Sequence, residues 1–302
     1  MKGRIIVLMG AASFGILSTI VKLAYAQGFN VSQVVTSQLW LGAFFCWLLV
    51  LGFTLFKPSI SFKLKNDWKI ITSGFPLGLT SFAYYQCVSY VPASIAILLL
   101  FQFVWMGVIL DIIFKKQIPS RLQFLSVFVL VFGTILASGM MDQSEMIWSF
   151  PGIAYGLLAA LGYAIFIYVN GSENSSHFML TAALRSTGGA IFSMLFFLPW
   201  NGLDGILSNG LLNYGIPLAI FGLVIPPVFF AYGIPKIGAT EASIISGIEL
   251  PVAVLSASLV LHENVSIWQW LGVVLILVAI TVPQLKGVNK FKGLNKTNTK
   301  SH

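Results

Sequence analysis

Long apolar runs, separated by short polar segments, dominate the chain. A helix that crosses the hydrocarbon core of a bilayer needs roughly 20 mostly apolar residues. Ten such runs lie at about 4–26, 33–55, 68–89, 92–114, 121–140, 150–169, 178–199, 213–235, 240–261 and 267–285. We therefore predict an all-α integral membrane protein with ten transmembrane helices.

The composition supports this prediction. Hydrophobic residues make up 57% of the chain and charged residues 9%, with a mean hydropathy of +0.91, whereas soluble domains carry about 25% charged residues. The net charge of +8 comes from short basic clusters beside apolar runs, not from a continuous basic face. No metal-ligand spacing, nucleotide motif or hydrolase motif is present. We predict no nucleic-acid partner, no cofactor, no metal and no enzymatic activity.

The distribution of basic residues predicts the orientation. If the N-terminus lies inside, all lysines and arginines except Lys22 and Arg185 fall in inner segments. Excess Lys and Arg mark cytoplasmic loops. We therefore expect both termini to face the cytoplasm, with the protein in the bacterial cytoplasmic (cell) membrane.

The two halves of the chain resemble each other. A shift of about 146 to 148 residues aligns Gly42, Ala43, Phe45 and Leu48 with Gly189, Ala190, Phe192 and Leu195, and Ala83-Tyr84 with Ala231-Tyr232. Each half holds five predicted spans, so the second half enters the membrane from the opposite side. We predict two inverted five-helix repeats, residues 1–145 and 146–287, and a cytoplasmic basic tail, 288–302. Inverted repeats are common in secondary transporters, whose sites lie near the midplane.

Three ionisable side chains are predicted to lie within spans: Lys22, Arg185 and Glu249. Each costs about 2.5–3.5 kcal/mol at the bilayer centre and so requires a partner or an aqueous cavity. Lys22 lies near a span end, where reaching the interface is the alternative. For Glu249, near the middle of the ninth span, we consider a proton-coupling role or a fixed ion pair with Lys22 or Arg185, because burial disfavours a charged carboxylate.

Neutral residues could complete such a site. Pro251 cannot donate to the carbonyl of Gly247, which predicts a kink and a free carbonyl oxygen. Gly15 and Gly162 are predicted at close helix contacts. The candidates for a cavity wall are Ser13, Gln38, Trp40, Tyr84, Tyr85, Gln86, Gln102, Trp105, Tyr163 and Tyr232. The alternative for these ten is ordinary packing or an interfacial aromatic belt.

Several short motifs carry a family resemblance. The second half contains Gly238-Ala239-Thr240-Glu241-Ala242, Glu249-Leu250-Pro251, Leu261-His262-Glu263-Asn264 and Trp268-Gln269-Trp270-Leu271-Gly272; the first contains Val91-Pro92-Ala93-Ser94-Ile95-Ala96 and Phe14-Gly15 with Lys22. Over residues 4–285 the chain resembles the ten-helix EamA-like branch of the drug/metabolite transporter superfamily. Its members are exporters or facilitators of amino acids, related metabolites or toxic compounds.

The chain also departs from the family pattern. Gln38 stands where many members have an arginine, Trp105 or Val104 where a proline is usual, and Lys116-Gln117 replaces an acidic turn. The second half is thus the better match.

The resemblance and the residues together predict an alternating-access secondary transporter. Glu249 would line a central cavity, with Arg185 and Lys22 as counter-charges. The expected partners are a small metabolite or drug, the lipid bilayer and a proton as coupling ion. The alternatives are a passive facilitator, a pore and a membrane-embedded lipid-modifying enzyme.

Overall fold

A computed structural model describes residues 2–56, 64–91, 93–116, 118–138, 149–171, 177–196, 210–262 and 264–281. Within these ranges the regular structure is helical throughout, as the sequence predicts. The predicted tail at 288–302 lies outside the described residues, as do Pro92, Gln117 and Glu263 of the motif comparison.

Fifteen α-helices cover the described part of the chain. They are α1 (Lys2–Gly15), α2 (Leu17–Ala26), α3 (Val31–Phe56), α4 (Leu64–Thr72), α5 (Phe75–Tyr90), α6 (Ala93–Leu100), α7 (Phe103–Lys115), α8 (Arg121–Ala137), α9 (Phe150–Asn170), α10 (Phe178–Phe196), α11 (Leu211–Ala219), α12 (Ile225–Ile237), α13 (Ala239–Ser246), α14 (Glu249–Val260) and α15 (Ile267–Thr281). A π-helical stretch, Ile220–Val224, joins α11 to α12.

Seven helical stretches of the described residues are long and apolar enough to cross a membrane. They are Lys2–Ala26, Val31–Phe56, Ile95–Lys115, Phe150–Asn170, Phe178–Leu195, Leu211–Ile237 and Ala239–Val260. Helices α8 and α15 are apolar but shorter, and the predicted third span is divided into α4 and α5 by a turn at Ser73 and Gly74. The protein is an integral membrane protein; the count of ten spans and the inverted repeat stay predictions.

The outer surface of the helical bundle is apolar. Phe128 and Leu259 are 70% and 73% exposed, while Phe166 and Phe230 are fully buried in the core. Water would penalise such a surface, but lipid tails do not, so large side chains face outward at no cost. Helix association must then come from close packing of the interior.

Glycines provide that close packing at the helix contacts beside Glu249. A Cβ atom on Gly15 would overlap the Glu249 backbone carbonyl and lie 2.7 Å from Cβ of Val252. A Cβ atom on Gly162 would lie 2.8 Å from the Thr80 hydroxyl oxygen. The missing side chains therefore let α1 approach α14, and α9 approach α5.

The π-helical stretch is stabilised from neighbouring helices. Pro227 has no N–H to donate to the Leu223 carbonyl. That oxygen instead accepts from the Ser186 hydroxyl at 3.3 Å and the Cys46 thiol at 3.4 Å. The Ser13 hydroxyl donates to the Phe221 carbonyl at 2.6 Å. Side chains from α1, α3 and α10 thus satisfy an interrupted helix that lipid could not.

We predict that Gly15→Ala lowers the melting temperature of the detergent-solubilised protein by several degrees. Overpacking of a close contact costs about 1–3 kcal/mol. Gly52→Ala is the matched control, since no other group lies within 4 Å of its added Cβ and alanine favours a helix by up to about 1 kcal/mol. Equal melting temperatures in the two variants would contradict the close α1–α14 contact.

Candidate functional site

Glu249 lies at a break in the middle of a membrane-spanning stretch. Helix α13 ends at Ser246, Gly247 and Ile248 form a turn, and α14 begins at Glu249. Pro251 stands in the first turn of α14, where its missing N–H is tolerated. The expectation of a free Gly247 carbonyl is wrong, because that oxygen accepts from the Leu250 N–H at 3.3 Å. The turn closes locally and leaves the Glu249 side chain, not the backbone, as the main polar group.

The Glu249 side chain lines a cavity between the helices that is partly open to the surroundings. The walls come from α1, α2, α3, α5, α6, α9 and α14. The lining residues are Phe14, Gly15, Leu17, Ser18, Gln38, Leu77, Thr80, Ser81, Tyr84, Tyr85, Ile97, Leu100, Phe101, Tyr163, Glu249, Leu250 and Ala253. A mostly apolar pocket with a few polar groups is typical of small-molecule sites.

Three polar groups around Glu249 lack partners. Glu249 Oε2, the Tyr163 hydroxyl and the Ser246 hydroxyl are buried and make no hydrogen bond within the described part of the chain. The Tyr163 hydroxyl is a neighbour of the other two groups, but its distances or angles to them are not those of a hydrogen bond. Leaving a buried polar group unsatisfied costs about 1–3 kcal/mol. This cluster is therefore the part of the cavity that gains most from a bound polar group.

A second polar pair lies in the cavity wall. The Tyr85 hydroxyl donates to Gln38 Oε1 at 2.8 Å, and both side chains are buried. Since Tyr84 also lines the cavity, the structure brings together Glu249, Gln38, Tyr84, Tyr85 and Tyr163 from the candidates found in the sequence.

Arg185 lies elsewhere and has other partners. Its side chain, 1% exposed, donates to the Ser73 hydroxyl and the Val169 carbonyl, both at 3.1 Å, and to the Asn170 side-chain oxygen. Val169 and Asn170 end α9, where unpaired carbonyls and the negative end of the helix dipole stabilise a cation. The structure, which describes both residues, contains no ion pair between Arg185 and Glu249, so Arg185 links α10 to α9 and to the α4–α5 turn.

The remaining polar candidates of the first half lie outside the cavity lining. Lys22 is half-buried on α2, one turn beyond Ser18, and Gln86 is half-buried on α5. Gln102 donates to the Leu98 carbonyl at 2.9 Å and accepts from the Trp105 indole N–H at 2.8 Å. Trp105 is 37% exposed on the outside of the bundle.

Tyr232 also lies outside the cavity lining. The Lys236 ammonium lies 3.0 Å from the centroid of its ring, near the end of α12. The pair is a cation–π contact at the boundary of a span, the place where aromatic belts form. A role for Tyr232 in the solute pathway stays a prediction.

Sequence reasoning missed Asp111, which lies in the predicted fourth span and is 1% exposed. Its Oδ2 accepts from the backbone N–H and the hydroxyl of Thr240, at 2.7 and 2.6 Å, and its Oδ1 lies 3.3 Å from the Lys115 ammonium. Asp111 therefore caps the N-terminus of α13 from another helix. The sequence feature that could have identified Asp111 is a carboxylate within an apolar run, followed four residues later by a lysine that can pair with it.

Further polar contacts join the same end of the bundle, which we call the α1 end, where α1 and α13 begin and α7 and α9 end. Arg4 forms an ion pair with Glu241, and the Lys115 ammonium lies 4.8 Å from the centroid of the Tyr168 ring. These contacts hold four helix termini together.

An aromatic layer separates the α1 end from the cavity. Along α1 and α9, Phe14 and Tyr163 are the cavity residues nearest the α1 end. The Tyr163 ring packs on Phe14 and Phe103, with centroids 5.5 and 4.5 Å apart, and Phe230 packs on Phe14 and Phe166 at 6.0 and 6.2 Å. The α1 end is thus closed by polar contacts and by a layer of rings.

The chain is similar over nearly its whole length to proteins named as transporters. An uncharacterized transporter of Synechocystis sp. is 25% identical over 319 aligned positions, covering 97% of this chain and 96% of the relative. The uncharacterized transporter YcbK of Bacillus subtilis is 24% identical, covering 89% of this chain and 88% of the relative. A solved crystal structure, described only as that of a protein, shares the fold, with a TM-score of 0.75, 12% identity, and coverage of 94% of this chain and 98% of the other.

A family model agrees with these similarities. The model of the EamA-like transporter family matches residues 150–282, the half in which the sequence motifs are most complete. The match and the names of the relatives confirm the resemblance to the EamA-like transporter family that was found in the sequence.

Proposed function

We propose that the protein is a secondary transporter that moves a small solute through the Glu249 cavity by alternating access. The observation that carries the proposal is a half-buried glutamate at a helix break that lines a cavity and has a buried carboxylate oxygen without a hydrogen-bond partner in the described part of the chain. Discontinuous helices that expose polar groups near the midplane are typical of transporter binding sites. The transporter names of the relatives agree with this function.

The proposal includes ten spans arranged as two inverted repeats, residues 1–145 and 146–287. The seven long stretches account for seven crossings, and in this proposal α4–α5, α8 and α15 add the other three. The distribution of lysines and arginines favours cytoplasmic termini. A carrier of this construction rocks one repeat against the other around a central site.

In this orientation the α1 end is the cytoplasmic end. Alternating access requires one end of the carrier to close while the other opens, and the α1 end is closed by Asp111, Arg4 and their partners. The cavity residues Ser18, Ile97 and Ala253 lie in the halves of the stretches Lys2–Ala26, Ile95–Lys115 and Ala239–Val260 that are farther from the α1 end. The described conformation then corresponds to the state closed toward the cytoplasm.

Proton linkage is the form of coupling that we propose. An apolar environment favours the neutral form of a carboxylate, so Glu249 can exchange a proton as the cavity changes sides. A passive facilitator would use the same cavity without this exchange, and an imposed pH gradient separates the two: only coupled transport accumulates solute in response to it.

We predict that Glu249→Gln abolishes transport driven by a pH gradient. In proteoliposomes, wild-type protein screened against a panel of amino acids, amines and drugs should accumulate its solute when a gradient is imposed. The amide cannot exchange the proton, so accumulation should fall at least about tenfold, a loss of roughly 1.4 kcal/mol of coupling. Asp67→Asn, the same change in α4 outside the cavity lining, is the control. Undiminished pH-driven accumulation in Glu249→Gln rules out the proton site, and no flux of any compound with wild-type protein rules out the transporter.

We predict that reporter tags at the N-terminus and at the C-terminus are both protected from protease in intact cells and both cleaved in inverted vesicles, whose cytoplasmic face is exposed. Ten crossings return the chain to its starting side, whereas an odd number does not. Protease accessibility of the two tags in intact cells and in inverted vesicles measures this directly. Tags on opposite sides would eliminate the ten-span, inverted-repeat arrangement.

We predict that Asp111→Asn opens the α1 end more often. A hydrogen bond to a charged group contributes about 1.5–3 kcal/mol, so its weakening should shift the closed population by roughly tenfold or more. The measurement is the rate at which a membrane-impermeant thiol reagent, added to the cytoplasmic face of inverted vesicles, labels a Ser246→Cys variant. Lys116→Gln removes a charge from an exposed neighbouring position and should not change the rate. Equal rates with and without Asp111→Asn would show that the Asp111 contacts do not keep this end closed.

A further inference from the structure

We propose that the cavity selects small organic cations, compounds that carry one ammonium group on an apolar or aromatic body, over zwitterions and anions. This inference rests on the proposed function and names its substrate class. It narrows the sequence expectation of amino acids or related metabolites to amines.

The charges of the lining are the first argument. Among the described residues that line the cavity, Glu249 is the one Asp, Glu, Lys, Arg or His, and its Oε2 has no hydrogen-bond partner. A bound cation favours the ionised form of this carboxylate. In a low-dielectric site an ammonium group gains from the carboxylate, whereas a second carboxylate would be repelled. A buried acceptor without a donor therefore matches a ligand that brings an N–H and a positive charge.

The rings of the lining are the second argument. Phe14, Tyr84, Tyr85, Phe101 and Tyr163 contribute to the walls, and the Tyr163 hydroxyl faces Glu249. A cation over an aromatic face gains about 0.5–2 kcal/mol, with the larger values in desolvated sites. The carboxylate and these rings together suit an ammonium head group.

The location of the cationic side chains is the third argument. A zwitterionic amino acid needs a positive group for its carboxylate, but the Arg185 guanidinium is bound to Ser73, Val169 and Asn170. Lys22 lies one turn beyond Ser18, outside the lining. Among the described residues, no lysine or arginine therefore lines the cavity. Lys22 is the cationic side chain that an extended ligand could reach from it.

The N-terminus of α14, at the helix break, does not take the place of a cationic side chain in binding a substrate carboxylate. A helix N-terminus binds anions through free N–H groups. Here the Leu250 N–H donates to the Gly247 carbonyl at 3.3 Å and the Val252 N–H donates to the Ile248 carbonyl at 3.2 Å. These donors are already used within the turn, so the start of α14 offers little to a substrate carboxylate.

The aliphatic side chains of the cavity lining indicate what kind of group the rest of the ligand carries. Leu77, Ile97, Leu100 and Leu250 line the cavity, and such apolar walls favour a ligand with an apolar or aromatic body. Burying such a body adds roughly 25 cal/mol for each Å² of apolar surface removed from water.

The test uses three compounds that share a phenyl body and differ in charge: 2-phenylethylamine, L-phenylalanine and 3-phenylpropionate. Binding to the purified full-length protein in detergent is measured by isothermal titration calorimetry at pH 7.5, for wild type, Glu249→Gln and Glu249→Asp. We expect wild type to bind the amine at least about tenfold more tightly than the other two, the combined gain of one ion pair and one cation–π contact. Glu249→Gln should lose this preference, and Glu249→Asp should keep part of it, which excludes misfolding as the cause.

Three results would overturn the cation preference. They are binding of L-phenylalanine or 3-phenylpropionate as tight as that of the amine, an unchanged preference in Glu249→Gln, and no binding of the amine at all. Lys22→Gln is the matched variant: if it removes L-phenylalanine binding, Lys22 supplies the anion contact and the site is built for zwitterions. The transporter itself is judged by the flux panel in proteoliposomes, so flux of other solutes without amine binding overturns only the cation preference.

Discussion

Lipid offers no hydrogen bonds, and this constraint determines how the protein can interrupt its helices. Every break within a span must satisfy its backbone from inside the bundle. At the turn before α14, the Gly247 carbonyl is satisfied by the Leu250 N–H. At the π-helical stretch, hydroxyl and thiol groups from α3 and α10 satisfy the Leu223 carbonyl. The first interruption is therefore closed within its own turn, and the second is also a contact between helices.

The same constraint separates the buried charges by function. Arg185 is bound by neutral oxygens at the end of α9, and Asp111 is bound by Thr240 and Lys115. Both charges have three or more polar contacts and join helix ends, which is a structural arrangement. Glu249 differs because its side chain borders open space, and its Oε2 has no hydrogen-bond partner within the described part of the chain. A buried charge without a partner is costly, so its presence points to a ligand or a proton.

The sequence predicts the spans better than the site, for physical reasons. The apolar run at 4–26 corresponds to Lys2–Ala26, since length and apolarity are local properties. The spacing of residues along a helix does not show which face contacts another helix, so Trp105 and Tyr163 are equal candidates in the sequence. In the structure Trp105 lies on the outside of the bundle, whereas Tyr163 lines the cavity. The partners of Arg185 come from positions far away in the chain, and no local pattern indicates them.

Asp111 was missed because a carboxylate near the end of an apolar run is ordinarily taken as the beginning of a loop. Its importance arises only from tertiary structure, where it holds the N-terminus of α13. Helix α13 leads through Gly247 and Ile248 directly into α14, whose first residue is Glu249. One broken span therefore connects the helix end that Asp111 caps to the carboxylate that lines the cavity. In the proposed cycle, a ligand or proton at Glu249 changes the preferred angle at this turn, and the strain is transmitted along α13, about two helical turns long, to Thr240. This short helix would couple the charge of Glu249 to the contacts of Asp111 while the two repeats rock against each other.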